Sequence, residues 1–230
     1  MLVLQLLQRS KFIHFIRELR LPFVLSMTTP IATDTELSAV NSILGSIGQS
    51  PITVLANNPN PEVTFIHNIL KECIKDVLNE GWHFNTEEHV EVQPNANKEI
   101  PVPVNYLRFD LNDGQALRQM DLVKRNGKLY DKVNHTYEFD DEKLELDIVY
   151  LYDFADIPSA FQRYIVALAS SRAATQLVNN PQLVQLLQQQ EARTRAAVLE
   201  YECEMGDHSF MGWPHETNYR SYQPYKALIR

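Results

Sequence analysis

The chain has 230 residues, 44% of them hydrophobic, enough for one large domain or two small, closely packed ones. Its formal net charge of -8 argues against a general nucleic-acid binder, which needs clustered Lys and Arg to displace counterions, but is compatible with a protein past which DNA slides. Two cysteines, Cys73 and Cys203, are too few for a disulfide framework; both fall in helical patterns and read as buried, reduced thiols of an intracellular protein.

Met1 to Leu7 is apolar, but Arg9, Lys11, Arg17 and Arg20 follow that run instead of preceding it. This order is unlike a secretory signal, and the charges break the run too often for a membrane span. Phe12, Ile16 and Leu19 share a face of an amphipathic helix; alternatively the natural start is Met27, since Met27-Thr28-Thr29-Pro30 reads as a flexible N-terminus. Residues 1–32 are set apart as an N-terminal extension, either non-native or flexible. Thr33-Asp34-Thr35-Glu36 then predicts a capping box, with Leu37, Val40, Leu44 and Ile47 at helical spacing and Gly48 ending the helix. Asn60-Pro61 opens a second helix, with Ile66, Ile69, Leu70, Cys73, Val77 and Leu78 as its apolar face and Gly81 as its stop.

From Trp82 to about Asp153 the pattern is strand-like. His89-Val90-Glu91-Val92, Tyr137-Glu138-Phe139 and Leu144 to Tyr150 alternate, and Asn126-Gly127 between two short runs predicts a type I′ hairpin. Pro94, Pro101 and Pro103 suit loops or edges. Helix returns at Pro158, with Phe161, Tyr164, Ile165, Leu168 and Ala169 on one face and small residues at Ala167, Ser170, Ser171, Ala173 and Ala174 that let another helix approach. Asn180-Pro181 repeats the cap-plus-proline opening, and the helix after it carries Leu183, Leu186, Leu187, Val198, Leu199 and Tyr201, with a glutamine- and charge-rich outer face. Periodicity is lost after Met205. The predicted fold is α+β: an antiparallel-type bundle of four main helices from residues 33–81 and 158–205, an inserted β domain at 82–157, and an extended tail at 206–230.

No phosphate-binding loop, nucleophile elbow or Cys-x-x-Cys pair is present in the sequence. His83, Glu87, Glu88 and His89 are the densest group of titratable side chains, suited in type to metal ligation or acid–base work, but their spacing matches no ligand pattern. Asp140-Asp141-Glu142 reads as a solvated acidic turn, and Lys124, Arg125, Lys128 and Lys132 as a basic hairpin that protects an edge or touches an acidic partner or DNA phosphates. Phe210, Trp213, Tyr219, Tyr222 and Tyr225 give the tail more aromatics than a disordered segment carries, and aromatic anchors are enriched at interfaces. The expectation is a non-enzyme without cofactor or bound metal. The alternative is a glycan hydrolase, which needs two carboxylates at a fixed separation; adjacent Glu87 and Glu88 on a strand would point to opposite faces. A membrane-active protein working through residues 1–26 is a third reading.

The run Glu36 to Gly48 with the turn at Pro51 to Leu55, the junction Gly81-Trp82-His83-Phe84-Asn85-Thr86-Glu87-Glu88, the hairpin Asn126 to Asp131, and Tyr152-Asp153 through Ile157-Pro158 into Phe161 to Val166 together resemble the tail tubular protein A family, the head-to-tail adaptors of T7-like short-tailed phages. The resemblance covers roughly residues 34–205. It implies a virion tail protein assembled in the host cytoplasm, forming a dodecameric ring with itself between a portal protein and a tail nozzle protein. DNA would pass through the channel without specific binding, and no membrane would be involved. It makes the aromatic tail residues candidates for partner docking, and Lys124, Arg125, Asn126, Gly127 and Lys128 the candidate tip of the β-domain hairpin.

Overall fold

The computed structural model describes residues 35–56, 59–111, 120–140, 143–178 and 180–206. Within them the chain forms α1 (Glu36–Ser46), α2 (Pro61–Leu78), β1 (Thr86–Val92), β2 (Tyr106–Leu111), β3 (Leu122–Arg125), β4 (Lys128–Asp131), β5 (Leu144–Tyr150), α3 (Ser159–Leu177) and α4 (Pro181–Met205). Short 3-10 turns at His83–Asn85 and Phe154–Asp156 link helix to sheet and sheet to helix.

The cap of α1 falls two residues after the one expected. Thr35 is the N-cap: its hydroxyl accepts the Ser38 N–H at 3.3 Å, and its own N–H donates to Ser38 Oγ at 3.0 Å. Ser38 therefore takes the role expected of Glu36, and Glu36 instead meets His67 Nε2 on α2 at 3.0 Å. The far end closes as a Schellman motif. Gln49 N–H donates to the Leu44 carbonyl at 2.9 Å and Gly48 N–H to Gly45 at 3.2 Å, with Gly48 at φ +80, a conformation glycine adopts without penalty. Asn60 caps α2 as its sequence indicates, accepting the Glu62 N–H at 2.9 Å.

The helices do not form a four-helix bundle. α3 is the hub: α1, α2 and α4 each pack on it, and α1 and α2 also pack on each other. Two physical features prevent a closed bundle. α1 has 11 residues against 25 in α4, too few to line it. And α4 buries only Leu187 and Val198, leaving Leu186 at 63% and Leu199 at 47% exposure, so it has no apolar stripe wide enough for two neighbours. α3 can serve three neighbours because Ala167, Ser170, Ser171, Ala173 and Ala174 are all buried alongside Phe161, Tyr164 and Ile165. What stands is a mixed α+β fold.

The β elements are two separate sheets. β5 lies between β1 and β2, antiparallel to both, and β3 pairs only with β4. The hairpin turn has Asn126 at φ 53 and Gly127 at φ 72, both left-handed as a type I′ turn requires. Strand β2 was not anticipated, although Leu107, Phe109 and Leu111 alternate with Arg108 and Asp110. Conversely Tyr137-Glu138-Phe139 is not a strand. The buried Asp131 carboxylate accepts N–H groups from Asp121 at 3.1 Å and Val133 at 2.8 Å and the Asn134 side-chain amide at 2.6 Å, which coils residues 131–136 back on themselves. Burial pushes that carboxyl pKa up, but these hydrogen bonds to its charged form win and hold it below the ordinary value. The inward residues Ile100, Leu122, Leu129, Phe139, Leu146 and Ile148 build a core distinct from the helical one.

Candidate assembly surfaces

The helix-to-sheet junction is a rigid knot. Gly81 sits at φ +80, and a Cβ there would lie 2.8 Å from Arg108 Nη2. Trp82 turns inward, its Nε1–H donating to the Val77 carbonyl at 2.7 Å and its ring meeting Phe161 edge-on at 5.0 Å. Asn85, fully buried, accepts the Trp82 N–H at 2.8 Å and donates to the carbonyls of Leu78 at 2.8 Å and Tyr150 at 2.9 Å. One side chain thus ties the end of α2 to the end of β5. Asn85 belongs to the junction motif singled out in the sequence, but its role shows only on asking which group satisfies the last carbonyls of α2. Arg195 of α4 closes the knot, bidentate to Glu80 at 2.6 and 2.8 Å and 5.0 Å from the Trp82 ring centre. The Glu80 pair raises the Arg195 pKa beyond its ordinary value against the opposing effect of burial. Glu202 of α4 accepts the His83 N–H at 2.8 Å.

The titratable group at 83–89 is dispersed by this geometry. His83 belongs to the 3-10 turn, Glu87 pairs in register with Ile148, and a register shift separates Glu87 from Val90. His89 lies in that bulge at φ 58, its N–H donating to Asp147 at 3.1 Å and its ring 3.5 Å from Glu145. Among the described residues no three His, Cys, Asp or Glu side chains are grouped so as to hold a metal ion. Among the same residues no helix is long and apolar enough to cross a membrane.

Two of the four basic side chains at the hairpin are paired with carboxylates. Lys128 pairs with Glu99 at 2.6 Å and Lys132 with Asp121, while Lys124 donates to the Pro103 carbonyl at 2.9 Å and Arg125 stacks 4.2 Å from the Tyr130 ring centre. Asn126 and Gly127 form the tip between them. The acidic turn is described only at Asp140, which pairs with Lys98 at 2.5 Å; Asp141 and Glu142 lie outside the described residues. So do the tail aromatics Phe210, Trp213, Tyr219, Tyr222 and Tyr225, and residues 1–34.

Two further surfaces follow from the failure of the helices to close. Between α1 and α4, above the small residues of α3, runs a groove of about 320 Å³ whose walls include Ser38, Ser42, Ala167, Ser170, Gln190 and Thr194. On its outer side α4 is exposed along most of its length. Of the two cysteines, Cys73 is buried in α2, where burial raises its pKa to about 12, whereas Cys203 is exposed on α4, contrary to the sequence expectation.

A family model described as Tail tubular protein matches residues 37–208. Comparison with curated proteins finds no match.

Proposed function

The chain belongs to the tail tubular protein family, a family of structural components of the phage tail, and from that premise we propose that it is the adaptor subunit between portal and tail nozzle. Copies of the chain form a ring, dodecameric by resemblance, whose channel passes DNA without binding it specifically. The observation that carries this reading is the extent of the family match. It takes in the two helices before the sheets, both sheets, and the two helices after them. The helical residues 33–81 and 158–205 act as one body, with the β region 82–157 inserted in it. In this reading the aromatic tail, Phe210, Trp213, Tyr219, Tyr222 and Tyr225, docks the portal, ordering as it binds. The hairpin tip, Lys124 to Lys128, is a second contact, toward the nozzle or a neighbouring copy. The acidic balance of the chain keeps DNA from adhering, a repulsion that at physiological salt reaches only about 8 Å.

The test is sedimentation of the purified chain alone and mixed with portal rings. A ring-sized particle that co-sediments with the portal is expected. A chain that stays monomeric in both conditions overturns the ring, and a ring that ignores the portal overturns the adaptor position. Deleting residues 207–230 is expected to abolish portal binding and leave the ring; undiminished binding by the truncated chain removes the tail from the docking role.

A further inference from the structure

The hairpin tip carries the only Asn-Gly pair in the chain, Asn126-Gly127, and both residues are exposed. Such a pair has a chemistry of its own. Glycine has no side chain to shield its backbone nitrogen, so that nitrogen can attack the side-chain carbonyl carbon of the preceding asparagine. A bond forms between Gly127 N and Asn126 Cγ, the Cγ–Nδ2 bond breaks, and Nδ2 leaves as ammonia with the proton that Gly127 N gives up. Water then opens the five-membered imide at either carbonyl. The product is an aspartate or, where the main chain now runs through the former side chain, an isoaspartate.

The fold opposes the first of these steps. Ring closure needs the Gly127 nitrogen and the Asn126 Cβ on the same side of the Cα–C bond. Asn126 has φ 53 and Gly127 φ 72, and the first residue of a type I′ turn has ψ of about +30°. That rotation carries the nitrogen nearly opposite to Cβ, so nucleophile and carbonyl carbon cannot meet while the turn is closed.

The turn is held closed from outside. The Gly127 carbonyl accepts the Val102 N–H at 2.8 Å, Leu129 N–H donates to the Ile100 carbonyl at 2.9 Å, and Lys124 Nζ donates to the Pro103 carbonyl at 2.9 Å. Leu129 is fully buried and fixes the second strand of the hairpin in the core of the β region. The Asn126 amide nitrogen, which is the leaving group, itself donates to the Tyr137 hydroxyl at 3.4 Å.

We propose that Asn126 is a guarded deamidation site: the I′ turn withholds its side-chain amide from the Gly127 nitrogen, and opening of the hairpin releases it. Isoaspartate adds a carbon to the main chain, which a two-residue turn between Arg125 and Lys128 does not accommodate. Either product places a carboxylate between those two cations. A hairpin that has opened and reacted is therefore marked for good.

Peptide mapping of the full chain by mass spectrometry tests it. Native chain and chain unfolded in guanidinium chloride are held side by side at mildly alkaline pH, and conversion of Asn126 is followed with isoaspartate resolved from aspartate. Conversion is expected to be slower in the native chain by roughly tenfold or more, since the reaction waits on local opening. Equal rates in the two states overturn the guard, and no conversion in the unfolded chain overturns the site. Leu129→Ala, which loosens the hairpin from its core, is expected to move the native rate toward the unfolded one while a thermal melt shows the helices still folded. A folded Leu129→Ala chain that keeps the slow rate overturns hairpin opening as the controlling step.

Discussion

Asn60-Pro61 and Asn180-Pro181 open α2 and α4 with the same chemistry, an asparagine side chain accepting first-turn N–H groups and a proline with no N–H to lose. From there the two helices diverge. α2 has 18 residues and buries Val63, Ile66, Ile69, Leu70, Cys73, Ile74, Val77 and Leu78; α4 has 25 and buries Leu187 and Val198. The start signal says where a helix begins and carries no information about what covers it. The density of the apolar stripe does: α2 is a core element of its own subunit, while α4 is half core and half surface.

The widest separation between the two is expected in thiol chemistry, because each helix carries one cysteine. With its pKa raised to about 12 by burial, Cys73 has roughly one thiolate in ten thousand at pH 8, and burial blocks access as well. Cys203 is exposed. One equivalent of Ellman's reagent should be consumed quickly by the native chain and a second only after denaturation; rapid uptake of two would break the distinction. Packing comes next. Leu70→Ala removes a fully buried side chain and should cost about 2–5 kcal/mol in urea unfolding, whereas Leu186→Ala, 63% exposed, should stay within about 0.5 kcal/mol in the unassembled subunit. Similar losses would mean that α4 is covered within its own subunit. The smallest effect sharpens the point through likeness. Asn60→Ala and Asn180→Ala should each cost about 1 kcal/mol, because each removes a side chain that accepts the N–H two residues on, whatever lies along the helix behind it. A cap effect seen at one helix and absent at the other would show that one end frays independently of its cap.

The junction and the hairpin show a similar division between local and distant causes. Asn126-Gly127 forms its turn because two left-handed residues in succession suit few other pairs, and nothing outside the hairpin is needed to see it. Asn85 is also a single side chain in a short motif, but its role depends on Leu78 and Tyr150 arriving together, and the second of these is distant in sequence. His83, Glu87, Glu88 and His89 illustrate the reverse: neighbours in sequence, they are separated by a 3-10 turn and a bulge. The α1 cap moved from Thr33 to Thr35 because Ser38 supplies the reciprocal hydroxyl while Glu36 is drawn to His67 on α2.

By itself the sequence determined the four helices and the strand-rich region between the second and the third, the Asn-Pro starts, the Gly48 and Gly81 stops, the I′ hairpin, and enough motif order to resemble a phage tail family, since each depends on backbone preferences or on residues close together along the chain. Only the tertiary structure decided that the four helices share a hub instead of closing a bundle, that Tyr106–Leu111 pairs while Tyr137-Glu138-Phe139 does not, and that α4 stays exposed along most of its length. Those outcomes depend on how much apolar surface each helix can offer to more than one neighbour and on buried groups such as Asp131 and Asn85 finding partners, quantities set by distant parts of the chain meeting in space.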